Sequence, residues 1–149
     1  MNSLIYFCAV YLVWIELALL VFVWRDALKA LLAGAISRLG FVELIRHFYH
    51  RPRPFMVTHV APLFTDDNWA FPSGHASFMF AIATIVFIKN RRLGAVMYVL
   101  SILTGWGRVM AHVHWTSDIV GGAVLGILVA LGVHLIWNRF FGARGGTWL

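Results

Sequence analysis

Charge is scarce in this chain. Only 12% of its 149 residues are Asp, Glu, Lys or Arg, and six of them are acidic. A soluble domain carries about 25% charged residues. The shortfall excludes an ordinary soluble enzyme, a disordered chain and a coiled coil. Cysteine is nearly missing too. Cys8 stands alone inside the first apolar run, where it reads as a small apolar side chain. One cysteine closes no internal disulfide and builds no cysteine-based zinc site. Prolines number four, and three of them fall in one segment, residues 49–71. There is no internal repeat and no low-complexity stretch. Spacing typical of metal ligands is absent as well, so no metal or other cofactor is expected.

What fills the chain is apolar. Hydrophobic residues make up 61%, against about 45–50% in soluble domains. Several runs approach the ~20 residues that cross a bilayer. The expectation is an all-α, polytopic membrane helix bundle of about five transmembrane helices, forming one domain over residues 1–149. The predicted spans are residues 4–24, 27–47, 72–88, 93–106 and 118–137. The first has no basic residue before it and is longer than a leader's apolar core, so it is read as a retained span. Pro72 is placed in the first turn of the third span, where a missing N–H costs nothing.

Five spans put two polar islands, residues 49–71 and 107–116, on one membrane face. Arg25, Lys29, Lys89, Arg91, Arg92, Arg139 and Arg144 fall on the other, and Arg46, Arg51, Arg53 and Arg108 on the island face. Basic residues favour the cytoplasmic side. The tail is therefore expected in the cytoplasm and the islands outside, in a bacterial-type plasma membrane. The +6 charge serves orientation under this reading, and no nucleic acid partner is expected. Trp24 and Trp137 lie near one interface and Trp69, Trp106 and Trp115 near the other, as tryptophan prefers.

The ionisable residues of the island face suggest chemistry. Arg46 precedes Arg53-Pro54 by seven residues; Pro72-Ser73-Gly74-His75 follows; then come Arg108, His114 and Asp118. Guanidinium forks match phosphate oxygens and stay charged, which suits Arg46, Arg53 and Arg108. Ser73 and Gly74 open a helix, where free N–H groups and the dipole attract anions. His114 and Asp118 are four apart and would share a helix face. A carboxylate on one ring nitrogen frees the other to attack. His114 is thus a nucleophile candidate, Asp118 its orienter, and His75 a general acid for the leaving oxygen.

In order, these residues read Arg, six residues, Arg-Pro; Pro-Ser-Gly-His; Arg, five residues, His, three residues, Asp. The pattern resembles the three-part signature of the type 2 phosphatidic acid phosphatase (lipid phosphate phosphatase) superfamily, over the core 46–118. The resemblance implies a phosphohistidine on His114, supported by Asp118. It implies His75 as acid and phosphate contacts from Arg46, Arg53, Ser73, Gly74 and Arg108, without a metal. The family usually has Lys where Arg46 stands, Ser where Gly107 stands, and six spans. The Arg51-Pro52-Arg53-Pro54-Phe55 run and the small size look like the bacterial undecaprenyl-diphosphatases of the superfamily. A lipid phosphate would then be the substrate. Alternatives are a phosphatidylglycerophosphate or phosphatidate phosphatase, a vanadate-dependent oxidation enzyme, and a transporter or non-catalytic membrane protein.

Other polar residues have plainer readings. Arg51 is expected to anchor lipid headgroups; Asp66 and Asp67 are expected to occupy a solvated turn, with binding of a cation that bridges a diphosphate as the alternative. His112 is the best placed of the histidines outside the motifs. Glu16 and Arg38 lie inside predicted spans at similar depth, and buried charges usually pair, so a Glu16–Arg38 ion pair is expected. Gly122 and Gly126 form a small-xxx-small pair that permits close helix contact. It would serve within one chain or between two copies, so a homodimer stays open.

Overall fold

A computed structural model describes residues 1–141. Arg144, counted above on the cytoplasmic face, lies outside the described residues. Every regular element among the described residues is helical: α1 Asn2–Val10, α2 Leu12–Leu19, α3 Trp24–Ala35, α4 Glu43–Phe48, α5 Pro54–Thr58, α6 Gly74–Lys89, α7 Arg91–Met110 and α8 Thr116–Phe141. A 3-10 turn, Leu20–Val23, joins α2 to α3, and a π-helical segment, Ile36–Val42, joins α3 to α4.

Three stretches are long and apolar enough to cross a membrane: Asn2–Phe48, Arg91–Met110 and Thr116–Phe141. The apolar helix Gly74–Lys89 is shorter. The architecture is therefore an all-α polytopic membrane bundle with three such stretches and one shorter helix, a coarser result than five equal spans. The 2–48 stretch folds back on itself. Val23 leaves helical geometry at φ −133°, ψ 38°. Before it, α1 and α2 pack along α7; after it, α3 and the π segment pack along α6 and α8. Asp26 lies 3.9 Å from Lys89 at one end of α6, and Arg46 donates to the Pro72 carbonyl at the other, 3.0 Å away.

The middle of the bundle is α6. It packs against α3, α7, α8 and the π segment. Its residues from Met79 to Val86 are buried on every face, the mark of a helix with no solvent or lipid side. Lipid tails are as apolar as leucine, so helices in a bilayer associate through close packing. Small residues supply it. A Cβ on Gly122 would come within 3.0 Å of the Ala76 Cβ, and one on Gly126 within 3.0 Å of the Ala81 nitrogen. Both glycines thus seat α8 on α6 within one chain.

Several boundaries differ from expectation. Pro72 precedes α6: Ser73 is its N-cap, with Oγ accepting from Ala76 N at 3.4 Å. Helix α7 continues to Met110, past the predicted end at Trp106. Neither Gly105 nor Gly107 breaks it, because each is pressed against another helix. A Cβ on Gly107 would meet the Ala9 nitrogen at 2.8 Å and the Cys8 Cβ at 3.0 Å.

The Glu16–Arg38 pair does not form. Glu16 is 1% exposed and accepts from Ser101 Oγ at 3.2 Å, facing α7. Arg38 rides the π segment and faces the start of α6. Matched depth did not bring them together, because the two residues sit on faces that pack against different helices.

Candidate active site

Two loops and two helix ends converge at the Arg46 end of the bundle. The turn after α7 is tight. His112 takes the left-handed conformation, φ 59°, which His tolerates better than most residues. The chain doubles back, and the amides of Val113 and His114 both donate to the Arg108 carbonyl, at 3.2 and 3.3 Å. This places a buried His114 beside the end of α7. Helix α8 then starts at Thr116, so His114 precedes the helix instead of sharing a face of it. Asp118, at the third helical position, accepts from the Trp115 amide at 2.8 Å. A carboxylate there satisfies a free N–H of the first turn.

The contact foreseen between His114 and Asp118 is present at 3.4 Å, from Nδ1 to Oδ2. The other ring nitrogen, Nε2, lies 3.4 Å from Arg53 Nη1. Arginine only donates, so Nε2 is the acceptor and Nδ1 carries the proton. Asp118 is fully buried and its Oδ1 pairs with Arg51 Nη1 at 2.7 Å. Arg51 also lies over the Trp115 ring, 5.6 Å from its centroid. Arg51, expected to anchor headgroups, is thus paired with Asp118 inside the protein. Burial pushes His114 down to about 4; Asp118 opposes the shift, while Arg108 and Arg53 add to it.

The arginines converge on one carboxylate. Arg53 is fully buried. Its Nε donates to the Asn68 carbonyl at 2.6 Å and its Nη1 to the Val113 carbonyl at 2.7 Å. Its Nη2 lies 3.0 Å from Asp66 Oδ2. Arg108 Nη1 donates to the Ala9 carbonyl, and its Nη2 lies 3.2 Å from the same Asp66 oxygen. Asp66 therefore bridges the two guanidinium groups, where a phosphate oxygen would fit. It is not a solvated turn residue. Burial pulls its carboxyl upward, but Arg53 and Arg108 outweigh this and hold it below the usual carboxylate range.

The third element is the start of α6. Ser73 is buried, and its amide donates to the Asp118 carbonyl at 3.0 Å, tying the α6 and α8 starts together. Arg46 fixes the same corner through Pro72 and lies 3.4 Å from Glu43. Above Gly74 sits Arg38: a Cβ there would stand 2.5 Å from its Nη1. Two cavities approach this centre. One of about 250 Å³ is lined by His114, His112, Trp115 and Pro54. The other, about 410 Å³, is lined by His75, Arg38, Val13, Trp14, Leu17, Leu39 and Phe78. The two histidines thus border different cavities. Among the described residues, no three His, Cys, Asp or Glu side chains group to hold a metal ion.

The profile of the PAP2 superfamily matches residues 26–141. The chain belongs to this superfamily. YbjG of Escherichia coli strain K12 is 33% identical over 101 residues, covering 62% of this chain and 48% of that protein. Undecaprenyl-diphosphatase BcrC of Bacillus subtilis strain 168 is 27% identical over 137 residues, covering 87% of this chain and 71% of BcrC. The chain thus spans about half of YbjG and about seven-tenths of BcrC. Among solved structures, LpxE of Aquifex aeolicus superposes with a TM-score of 0.72 at 26% identity, covering 89% of this chain and 82% of LpxE. Membership in this lipid-phosphatase superfamily, together with the helix bundle and its charged end, is consistent with a membrane lipid phosphatase mechanism.

Three residues of the site carry other readings in the sequence: Arg51 as a headgroup anchor, Asp66 as a turn residue or cation ligand, and Arg38 as the partner of Glu16. The first two lay in the right segment, and the Arg51-Pro52-Arg53 spacing was the available signal. Arg38 had no signal beyond being a charge in an apolar run.

Proposed function

We propose that the protein hydrolyses a lipid-linked diphosphate, with undecaprenyl diphosphate as the leading substrate, through a phosphohistidine on His114. The observation that carries this reading is the state of His114: Nδ1–H turned to Asp118, and an unprotonated Nε2 beside the Arg53 guanidinium. A neutral imidazole with one nitrogen anchored is ready to attack phosphorus.

The steps follow from these groups. A phosphate displaces the Asp66 carboxylate from Arg53 and Arg108. His114 Nε2 attacks the terminal phosphorus and the bridging P–O bond breaks. His75 gives its proton to the departing oxygen and later takes one from the water that cleaves the phosphohistidine. Arg53, Arg108, the Ser73 hydroxyl and the Gly74 amide neutralise charge on the equatorial oxygens, the main demand of phosphoryl transfer. Arg46 holds the α6 corner and adds positive charge. No step needs a metal.

Likeness to BcrC, a named undecaprenyl-diphosphatase, supports the substrate. The fold-back at Val23 supports five crossings, and the distribution of basic residues supports a site facing outside with the C-terminus in the cytoplasm.

The deciding experiment measures phosphate released from undecaprenyl diphosphate by purified protein in detergent with EDTA, beside His114→Ala. Release by the wild type alone supports the reading. Equal release by the variant overturns the mechanism, and no release by the wild type overturns the substrate.

A further inference from the structure

Arg38 has no hydrogen bond or ion pair with any described residue, although it lies within an apolar stretch. Every other arginine at this end of the bundle has a protein partner: Arg46, Arg51, Arg53 and Arg108 all do. A guanidinium inside a membrane protein without a counterion is costly and marks function. Its backbone is unusual as well. The segment Ile36–Val42 is π-helical, a rare form that is frequent at functional sites. The adjacent Ser37 hydroxyl is bonded to the Ser77 hydroxyl of α6, which fixes the segment against that helix.

The surroundings say what Arg38 awaits. It shares the cavity of about 410 Å³ with His75, the residue proposed to protonate the leaving oxygen. That volume is in the range of small-molecule sites. Every other residue lining it is apolar: Val13, Trp14, Leu17, Ala35, Leu39 and Phe78. Trp14 and Leu39 are two-thirds exposed, at 66% and 69%, so this side opens outward from the bundle. An anion beside Arg38 with an apolar chain running past Trp14 and Leu39 matches one chemistry, a phosphate esterified to a lipid. That phosphate is the leaving group of a lipid diphosphate.

We propose that Arg38 grips the lipid-linked phosphate that departs when His114 takes the terminal one, and so favours diphosphates over monophosphates. This rests on the phosphatase reading above. When the bridging bond breaks, its electron pair stays on the departing oxygen, and the product is a lipid monophosphate. The second pKa of a phosphate monoester is about 6, so this leaving group departs as an anion and needs a cation more than a proton. A lipid monophosphate instead loses an alcohol, which needs the His75 proton and places no charge beside Arg38.

The test compares kcat/KM for farnesyl diphosphate and farnesyl monophosphate, in detergent, for wild type, Arg38→Gln and Arg38→Lys. In Arg38→Gln the diphosphate-to-monophosphate ratio falls at least tenfold, of the order of one lost charge-assisted contact. Arg38→Lys keeps the charge but loses the fork, and recovers part of the ratio. Should the Gln protein fail to fold, the Lys protein decides: its ratio must fall several-fold. An unchanged ratio in either folded variant overturns the role of Arg38, including a case where both substrates suffer equally. Turnover by the wild type tests the phosphatase reading separately. Its absence on both substrates overturns that reading and this one together.

Discussion

The guanidinium of Arg53 and the ring of His114 meet at 3.4 Å, Nη1 to Nε2. Burial, with Arg108 and Arg53 adding to it, keeps the imidazole neutral, and in the proposed mechanism the Arg53 guanidinium meets the incoming phosphoryl oxygens. With His114 pushed down to about 4, the proposed nucleophile is unprotonated throughout the neutral range. The acid limb of kcat/KM should fall near pH 4 and not near the ordinary histidine value of about 6.5. Arg53→Gln removes one opposing charge, so its remaining activity should show an acid limb at higher pH. A wild-type limb near 6.5 would contradict the assignment. Stability follows the same sign. The folded pKa lies below the unfolded one, so the contribution of this site is complete above about 6.5 and is lost as pH falls through about 4.

In the proposed mechanism Asp66, which bridges Arg53 and Arg108, competes with substrate for them. Asp66→Asn keeps the shape and removes the charge. Inhibition by inorganic phosphate or orthovanadate should tighten about tenfold, the equivalent of ~1.4 kcal/mol. Inhibition constants in wild type and variant decide, and weaker inhibition in the variant would show that Asp66 organises the arginines instead of occupying their place.

Arg51 anchors Asp118, which in turn anchors His114. Arg51→Ala leaves a buried carboxylate without its cation, and hydrogen bonds to charged groups contribute about 1.5–3 kcal/mol. A lower melting temperature is expected, with kcat reduced about tenfold more than KM is raised. Arg51→Lys should restore part of both. A mere headgroup anchor would alter binding to anionic vesicles and leave kcat alone.

Gly107 stands where the family usually has Ser. The close approach of Ala9 and Cys8 explains it. Gly107→Ser should cost roughly 1–3 kcal/mol through overpacking, seen as a lower melting temperature in detergent. Unchanged stability would mean that α1 yields.

The residues brought together at this site were legible because their types and order are tied to one chemistry. Arg53, His114 and Asp118 could be named from spacing, and they do meet. Their partners could not. Arg51 reaches Asp118 across 67 positions, a distance that only the folded path of the loop closes. Asp66 sits in a loop without periodicity, so nothing in the sequence aimed it at Arg53. Arg38 was assigned to Glu16 on the assumption of regular helices of matching depth. A π segment breaks that regularity, and the face it presents is not the one that a 3.6-residue period gives. The fold-back near residue 23 was visible as the polar Arg25-Asp26 pair, although the helix barely pauses there.

Trp14 and Leu39 are exposed and line the larger cavity, and under the proposed reading they would face the lipid tails. A guest with a long tail would arrive sideways, travelling within the sheet of lipids and never through bulk water. Its encounter rate would then follow how crowded that sheet is with substrate. Diluting the vesicles would change nothing, whereas diluting the substrate among inert lipids would slow every turnover.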